Sequence, residues 1–195
     1  MQIILASSSS RRRDLLSLLG IPFEIKPPGI EEIPLDGETP PEFCMRASYK
    51  KAYTIAQNNK HAIIIAADTV VVIDDAILGK PKDVRQAFHF LMMLKSRVHD
   101  VFTGYTIVYM AKEKTISRVI NTKVHFKDMT NKEILWYIST KEPMDKAGAY
   151  GIQGLGALFI DGIEGSYTNV IGLPLSDVYT DLKGLGIYTG SGLDI

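Results

Sequence analysis

Ser7-Ser8-Ser9-Ser10-Arg11-Arg12-Arg13 places four hydroxyls and three guanidiniums in a row, directly after a short apolar run. The leucines that follow recur with helical spacing, so the arginines fall at a helix N-terminus. That end carries partial positive charge and open N–H groups, and acids belong there. Arginines fit if an anion binds, because hydroxyls, N–H groups and guanidinium forks together cradle phosphate. The alternative is a serine cap with solvated arginines. Asp68 is a second break with local rules. It interrupts Ile63-Ile64-Ile65-Ala66-Ala67-Asp68-Thr69-Val70-Val71-Val72, where a carboxylate is costly unless it is paired, bound to metal or part of a site. The alternative is a satisfied bulge residue. A turn at residues 74–77 would set Lys80 opposite Val71, about 10 Å from Asp68, so one segment could supply an acid and a cation.

Gly79-Lys80-Pro81 is not a P-loop, since Asp74 and Pro81 stand where glycine and Ser/Thr are needed. Gly151-Ile152-Gln153-Gly154-Leu155-Gly156 has dinucleotide-fold glycine spacing reversed and lies far from the first strand. Such a run still implies close backbone approach. Gln153 within it offers one donor and one acceptor, the pattern that reads a base edge. His61, His89, His99 and His125 show no ligand spacing, and Glu31 and Glu32 read as solvated charge in an acidic loop.

These residues need elements to hold them. Strands are expected at residues 2–6, 61–73, 76–78, 101–110 and 116–126, and an extended segment at 22–28. Helices are expected at 11–20, 41–57, 83–95, 131–139 and 175–185. Met45, Tyr49, Ala52 and Ala56 form the inward stripe of the second helix, with Arg46 and Lys50 at its edge. Val84, Ala87, Phe88, Leu91 and Leu94 point inward from the third. Thr130 and Glu133 form a capping box for the fourth, whose Trp136 reads as core. Residues 157–163 and 166–171 read as a hairpin. Strands and helices alternate, which gives an α/β class with a mixed sheet and flanking helices.

The chain has 195 residues, enough for one domain, or two lobes sharing a core. Lys+Arg and Asp+Glu are both 22, so the zero net charge argues against a broad grip on DNA, RNA or an acidic membrane. Cys44 is the single cysteine, which excludes an internal disulfide or a zinc ribbon and reads as a buried thiol. No signal peptide or membrane span is visible, so a cytoplasmic protein is expected. Residues alone thus give an α/β domain with a cationic cleft and a site carboxylate. Its ligand would be a phosphorylated small molecule.

Five blocks resemble the Maf family of nucleoside triphosphate pyrophosphatases, in family order. They are Leu5-Ala6-Ser7-Ser8-Ser9-Ser10-Arg11-Arg12, Ala67-Asp68-Thr69-Val70-Val71, Leu78-Gly79-Lys80-Pro81, the stretch 141–154 from Lys141-Glu142-Pro143 to Gly151-Ile152-Gln153-Gly154, and Gly172-Leu173-Pro174-Leu175. One departure is Ser10, where the family usually has a proline that pre-organises the first helical residue. The resemblance implies an inosine triphosphatase-like fold with two lobes around a cleft, and usually a homodimer. It implies cleavage of a nucleoside triphosphate to monophosphate and pyrophosphate with a divalent metal (Mg, Mn or Co). By the same resemblance Asp68 is the proton acceptor and a metal ligand. Ser7, Arg12, Lys50 and Lys80 bind phosphate. Glu32 is an acid near the metal, with Glu31 the other candidate in that loop. Arg11, Thr69 and Gln153 match the positions that mark the dTTP/UTP branch. An alternative is a nucleotide-sensing regulator of septum formation with little turnover.

Overall fold

The computed structural model describes residues 1–31 and 33–187. Its strands order as β2 (Glu24–Ile25), β1 (Ile3–Leu5), β3 (Ile63–Ile73), β5 (Val98–Tyr109), β6 (Lys114–Phe126) and β7 (Ile160–Glu164), with β4 (Ala76–Leu78) paired to β3. β1 runs parallel to both β2 and β3. β3 pairs antiparallel with β4, as does β6 with β7. The expected mixed sheet is therefore present. The chain divides into two compact units: residues 1–68, 103–120 and from 172 onward form the first, and residues 69–102 and 121–171 the second. Three of the four boundaries fall inside β3, β5 and β6, and the fourth falls between Ile171 and Gly172. No helix among the described residues is long and apolar enough to cross a membrane.

The first unit has its own core of Ile4, Ala6, Ala52, Ala56, Ala62, Ile64, Ala66 and Val108. α1 (Ser10–Ser17) follows β1, and Leu15 and Leu16 are its buried residues, while Leu18 beyond its end is exposed. α2 (Pro40–Ala56) opens with a capping box in which Glu42 accepts from the Thr39 N–H at 2.9 Å. Its buried face differs from the expected one. Phe43, Cys44, Ala47, Ser48, Ala52 and Ala56 are buried, whereas Met45 and Tyr49 are exposed. Small side chains let the helix backbone come close to the strands. The bulky Tyr49 instead stacks on Tyr53 outside, with ring centroids 5.7 Å apart. Ser48 is tied to Thr106 at 2.9 Å and Thr106 to Ser117 at 3.0 Å. α6 (Leu175–Gly184) contributes Asp181, which accepts from the Tyr105 hydroxyl at 2.7 Å and from Arg118 Nε at 2.8 Å.

The second unit is built on Val71, Leu78, Leu91, Leu94, Phe126, Ile134, Tyr137 and their neighbours. Asp74 and Asp75 both take positive φ (49° and 62°) and close a two-residue hairpin with Ile73 opposite Ala76. This tight turn places Leu78, not Lys80, opposite Val71. α3 (Val84–Leu94) is capped by Asp83, which accepts from the Gln86 N–H at 2.8 Å. Ala87, Phe90, Leu91 and Leu94 are its buried residues, and Val84 is exposed. α4 (Asn131–Ser139) begins at the expected Thr130/Glu133 box. Trp136, however, is 47% exposed, because Ile134, Tyr137 and Ile138 form the inward face. The expected hairpin at 157–171 is absent. β7 pairs with β6, and residues Tyr167–Ile171 form α5 after Ser166, whose hydroxyl accepts from the Asn169 N–H at 3.3 Å.

Candidate active site

In the first unit, Ser7 emerges buried from the end of β1. Its hydroxyl accepts from the Ser9 N–H at 3.2 Å and from Arg12 Nη1 at 3.5 Å. Ser9 caps α1 by accepting from the Arg12 N–H at 3.4 Å, and Ser10 occupies the first helical position. The first turn of α1 holds no acid, so its N-terminal charge stays available to an anion. Arg12 Nε donates to the Gly172 carbonyl at 2.8 Å, which fixes the plane of the guanidinium. Burial lowers the Arg12 pKa, and the nearby Asp68 carboxylate opposes that shift. Arg11 is half-buried, and Arg13 is exposed and donates to its neighbour Asp14 at 2.9 Å. One serine caps, one arginine is spent locally, and the buried Ser7 with the half-buried Arg12 forms the inner part of the cluster.

Asp68 resolves its conflict with the apolar strand through an ion pair with Lys51 of α2. Both side chains are largely out of water, 16% exposed for Lys51 and 17% for Asp68. Lys50, the residue picked out by resemblance, is exposed one position further round the helix. The buried stripe explains the difference. Ala47, Ser48 and Ala52 face inward, and Lys51 lies four residues after the first and three after the second. A lysine on a buried stripe is the same kind of signal as an aspartate in an apolar strand. Placing the stripe on Met45 and Tyr49 hid it.

The second unit holds Thr69, Lys80 and Gln153. Thr69 is half-buried in β3, and Lys80 and Gln153 are exposed. The Gly148 N–H donates to the Gly79 carbonyl at 3.1 Å, which ties the Lys80 loop to the block that leads to Gln153. Glu142 and Tyr137 reach the same block: Glu142 accepts from the Leu155 and Gly156 N–H groups at 2.9 and 3.0 Å and from the Tyr137 hydroxyl at 2.9 Å. The sequence alone gives neither residue a role, and Glu142 appears there only within the block 141–154. Glu32 lies outside the described residues, and Glu31 is exposed. Among the described residues no group of three or more His, Cys, Asp or Glu side chains converges as a metal cage.

A family model described as "Maf-like protein" matches residues 2–185. A dTTP/UTP pyrophosphatase of Syntrophus aciditrophicus (strain SB) is 47% identical over 191 residues, spanning 98% of this chain and 93% of that protein. One of Thermoanaerobacter sp. (strain X514) is 49% identical over 184 residues, covering 94% and 96%. Among solved structures, a nucleoside-triphosphatase / dITP/XTP pyrophosphatase from Mycobacterium abscessus aligns with a TM-score of 0.47 at 13% identity, over 95% of this chain and 96% of that one.

Proposed function

The chain belongs to the Maf family, and from that premise we propose that it hydrolyses dTTP and UTP to the monophosphate and pyrophosphate. The observation that carries this reading is the set Ser7, Arg12, Lys51 and Asp68 in one unit, an anion cradle whose arginine feels the charge of an ion-paired carboxylate. A triphosphate brings about four negative charges, and fixed cations that meet them lower the barrier to an in-line displacement.

In this reading Ser7 and Arg12 hold phosphate oxygens, the guanidinium being oriented by the Gly172 carbonyl. Lys50 is the phosphate contact that the resemblance implies, and Lys51, ion-paired with Asp68, is a second cation of α2 for the same role. Lys80 supplies a further phosphate contact. Asp68 accepts a proton from the water that attacks the α-phosphorus. The bond from the α-phosphorus to the bridging oxygen breaks, and pyrophosphate leaves with that electron pair. Arg11, Thr69 and Gln153 select the base. Uracil and thymine present an N3–H donor beside a carbonyl acceptor, and the Gln153 amide answers both.

A divalent cation (Mg, Mn or Co) fits this donor set. Such ions are commonly held by one or two carboxylates together with substrate phosphates. Asp68 is one carboxylate for such an ion, and Glu31 or Glu32 is the second candidate. When bound, the ion would neutralise phosphate charge.

Incubating the purified protein with dTTP or UTP and Mg²⁺ or Mn²⁺ tests the reading. The expected products are the nucleoside monophosphate and pyrophosphate. The diphosphate and orthophosphate as primary products would overturn attack at the α-phosphorus. Absence of turnover with retained nucleotide binding would favour a sensor instead.

A further inference from the structure

Residues 151–156 contain three glycines, and a stretch so rich in glycine has many conformations to lose on ordering. It is nevertheless held at both ends by one hydrogen-bond network anchored on a buried tyrosine. Tyr137 is fully buried in α4. Its hydroxyl accepts from the Gly151 N–H at 3.2 Å and donates to Glu142 Oε1 at 2.9 Å. The same Oε1 accepts from the Gly156 N–H at 3.0 Å, while Oε2 accepts from the Leu155 N–H at 2.9 Å. The carboxylate thus sits on the open N–H groups of the short 3-10 helix Gly154–Phe159, where negative charge is favoured. Glu142 is itself fixed. Its N–H donates to the Thr140 hydroxyl at 3.2 Å, and its carbonyl accepts from Lys146 Nζ at 2.6 Å.

The packing leaves no slack. A Cβ on Gly156 would stand 2.3 Å from the Gly151 carbonyl oxygen and 2.6 Å from the Tyr137 hydroxyl, and one on Gly154 2.7 Å from Glu142 Oε2. Burial disfavours the Glu142 charge, but the two backbone N–H groups, the Tyr137 hydroxyl and Lys146 outweigh it, so the carboxyl lies below its usual range. Burial and the Glu142 contact push the Tyr137 pKa up, so it stays a phenol and donates. The exposed Gln153 side chain takes no part in these bonds.

We propose that Glu142 and Tyr137 are positioning residues for base selection: they pin both ends of the loop 151–156 so that the Gln153 amide is presented in one orientation. The proposal rests on the reading that Gln153 contacts the pyrimidine. Neither residue touches substrate. Their effect is on which base is accepted, since selection needs the amide held within about 0.5 Å.

The variant Glu142→Gln keeps the shape but turns an NH₂ toward a backbone N–H, and Tyr137→Phe removes only the bridge to Gly151. The first measurement is amide exchange. Glu142→Gln is expected to speed exchange at Gly151, Leu155 and Gly156 at least about tenfold, with α3 unchanged. Unchanged exchange at those amides overturns the clamp whether or not the protein turns over dTTP. The second is the ratio of kcat/KM for dTTP to that for dCTP. Glu142→Gln should lower it about tenfold, mostly through the KM for dTTP, with dCTP turnover within about threefold. Tyr137→Phe should lower it less. In a Gln153→Ala background Glu142→Gln should leave the ratio unchanged, because the selecting amide is already gone. Equal losses on both nucleotides, or a full effect without Gln153, would reduce Glu142 to general support and overturn the proposal. A wild-type protein with no preference for dTTP over dCTP would refute base selection by Gln153, and the exchange result would still decide the clamp.

Discussion

His99 gives the protein a built-in acid sensitivity whose size follows from its surroundings. It lies on β5 in the second unit, 2% exposed. Its Nε2 is 2.7 Å from the Tyr150 hydroxyl, and its ring meets Phe126 and Tyr150 edge-on at 5.0 and 5.3 Å. Nδ1 is buried with no hydrogen-bond partner among the described residues. Burial, and the charge of His125, push its pKa from 6.5 down to about 3. Between those values the unfolded chain binds a proton that the folded chain does not, so stability falls as pH falls. The loss is about 1.4 kcal/mol per pH unit once below 6.5. From pH 7.5 to pH 5.0 it sums to about 2 kcal/mol, or roughly 4–8 °C in Tm for a chain of this size. Carboxylates held below their usual range, such as Asp181, lose their contribution at lower pH and are common to both proteins compared. His99→Gln cannot titrate and can still bond to Tyr150. Urea melts at the two pH values, followed by the fluorescence of Trp136 in the same unit, provide the assay. The variant should be less stable at pH 7.5, because the edge-on ring contacts are lost, yet nearly flat between the two pH values. A variant that loses as much stability as wild type over this range would refute the reasoning.

Three further outcomes are expected. Lys51→Met should reduce kcat for dTTP about 10²–10³-fold, the cost of removing one key electrostatic group, and at least ten times more than Lys50→Met; steady-state kinetics in the reverse order would make Lys50 the principal cation of α2. Asp68→Asn should keep the fold by circular dichroism and retain nucleotide binding while losing at least about 10² in kcat, and near wild-type turnover across metal concentrations would place the base elsewhere. Gln153→Glu replaces a donor with an acceptor, so kcat/KM should fall far more for dTTP and UTP than for dGTP, whose N1–H and N2–H₂ can both donate; equal losses would show that Gln153 does not meet the base.

What was legible in the sequence was mostly local. The Thr130/Glu133 box depends on four consecutive residues, and α4 starts where it predicts. Asp68 was visible because a carboxylate in an apolar strand needs a partner, though the sequence did not say which. The partner was hidden by helix phase. A stripe drawn through the bulkiest residues of α2 missed that small ones, Ala47, Ser48 and Ala52, pack inward, and with them Lys51. Residues 166–171 hold Thr, Val and Ile and suit a strand, yet β6 already pairs with β7, and the Ser166 hydroxyl favours a helical turn. The Glu142 network could not be read from spacing, because its bonds to Leu155 and Gly156 exist only once the intervening glycines have turned the chain back.

The division of the chain has a consequence for how it emerges during synthesis. The first unit is assembled from three separated stretches, the last beginning at residue 172. Every residue of the second unit has been made before that stretch appears. Until then Arg12 lacks the Gly172 carbonyl that orients it, and Tyr105 and Arg118 lack the carboxylate of Asp181. At about 5–20 residues per second, residues 7 to 68 wait several seconds or more for partners encoded a hundred positions later. The proposed phosphate cradle, translated first, is thus completed last. A chain stopped short of residue 172 would carry all the proposed catalytic side chains and none of the contacts from α6 that hold their unit together.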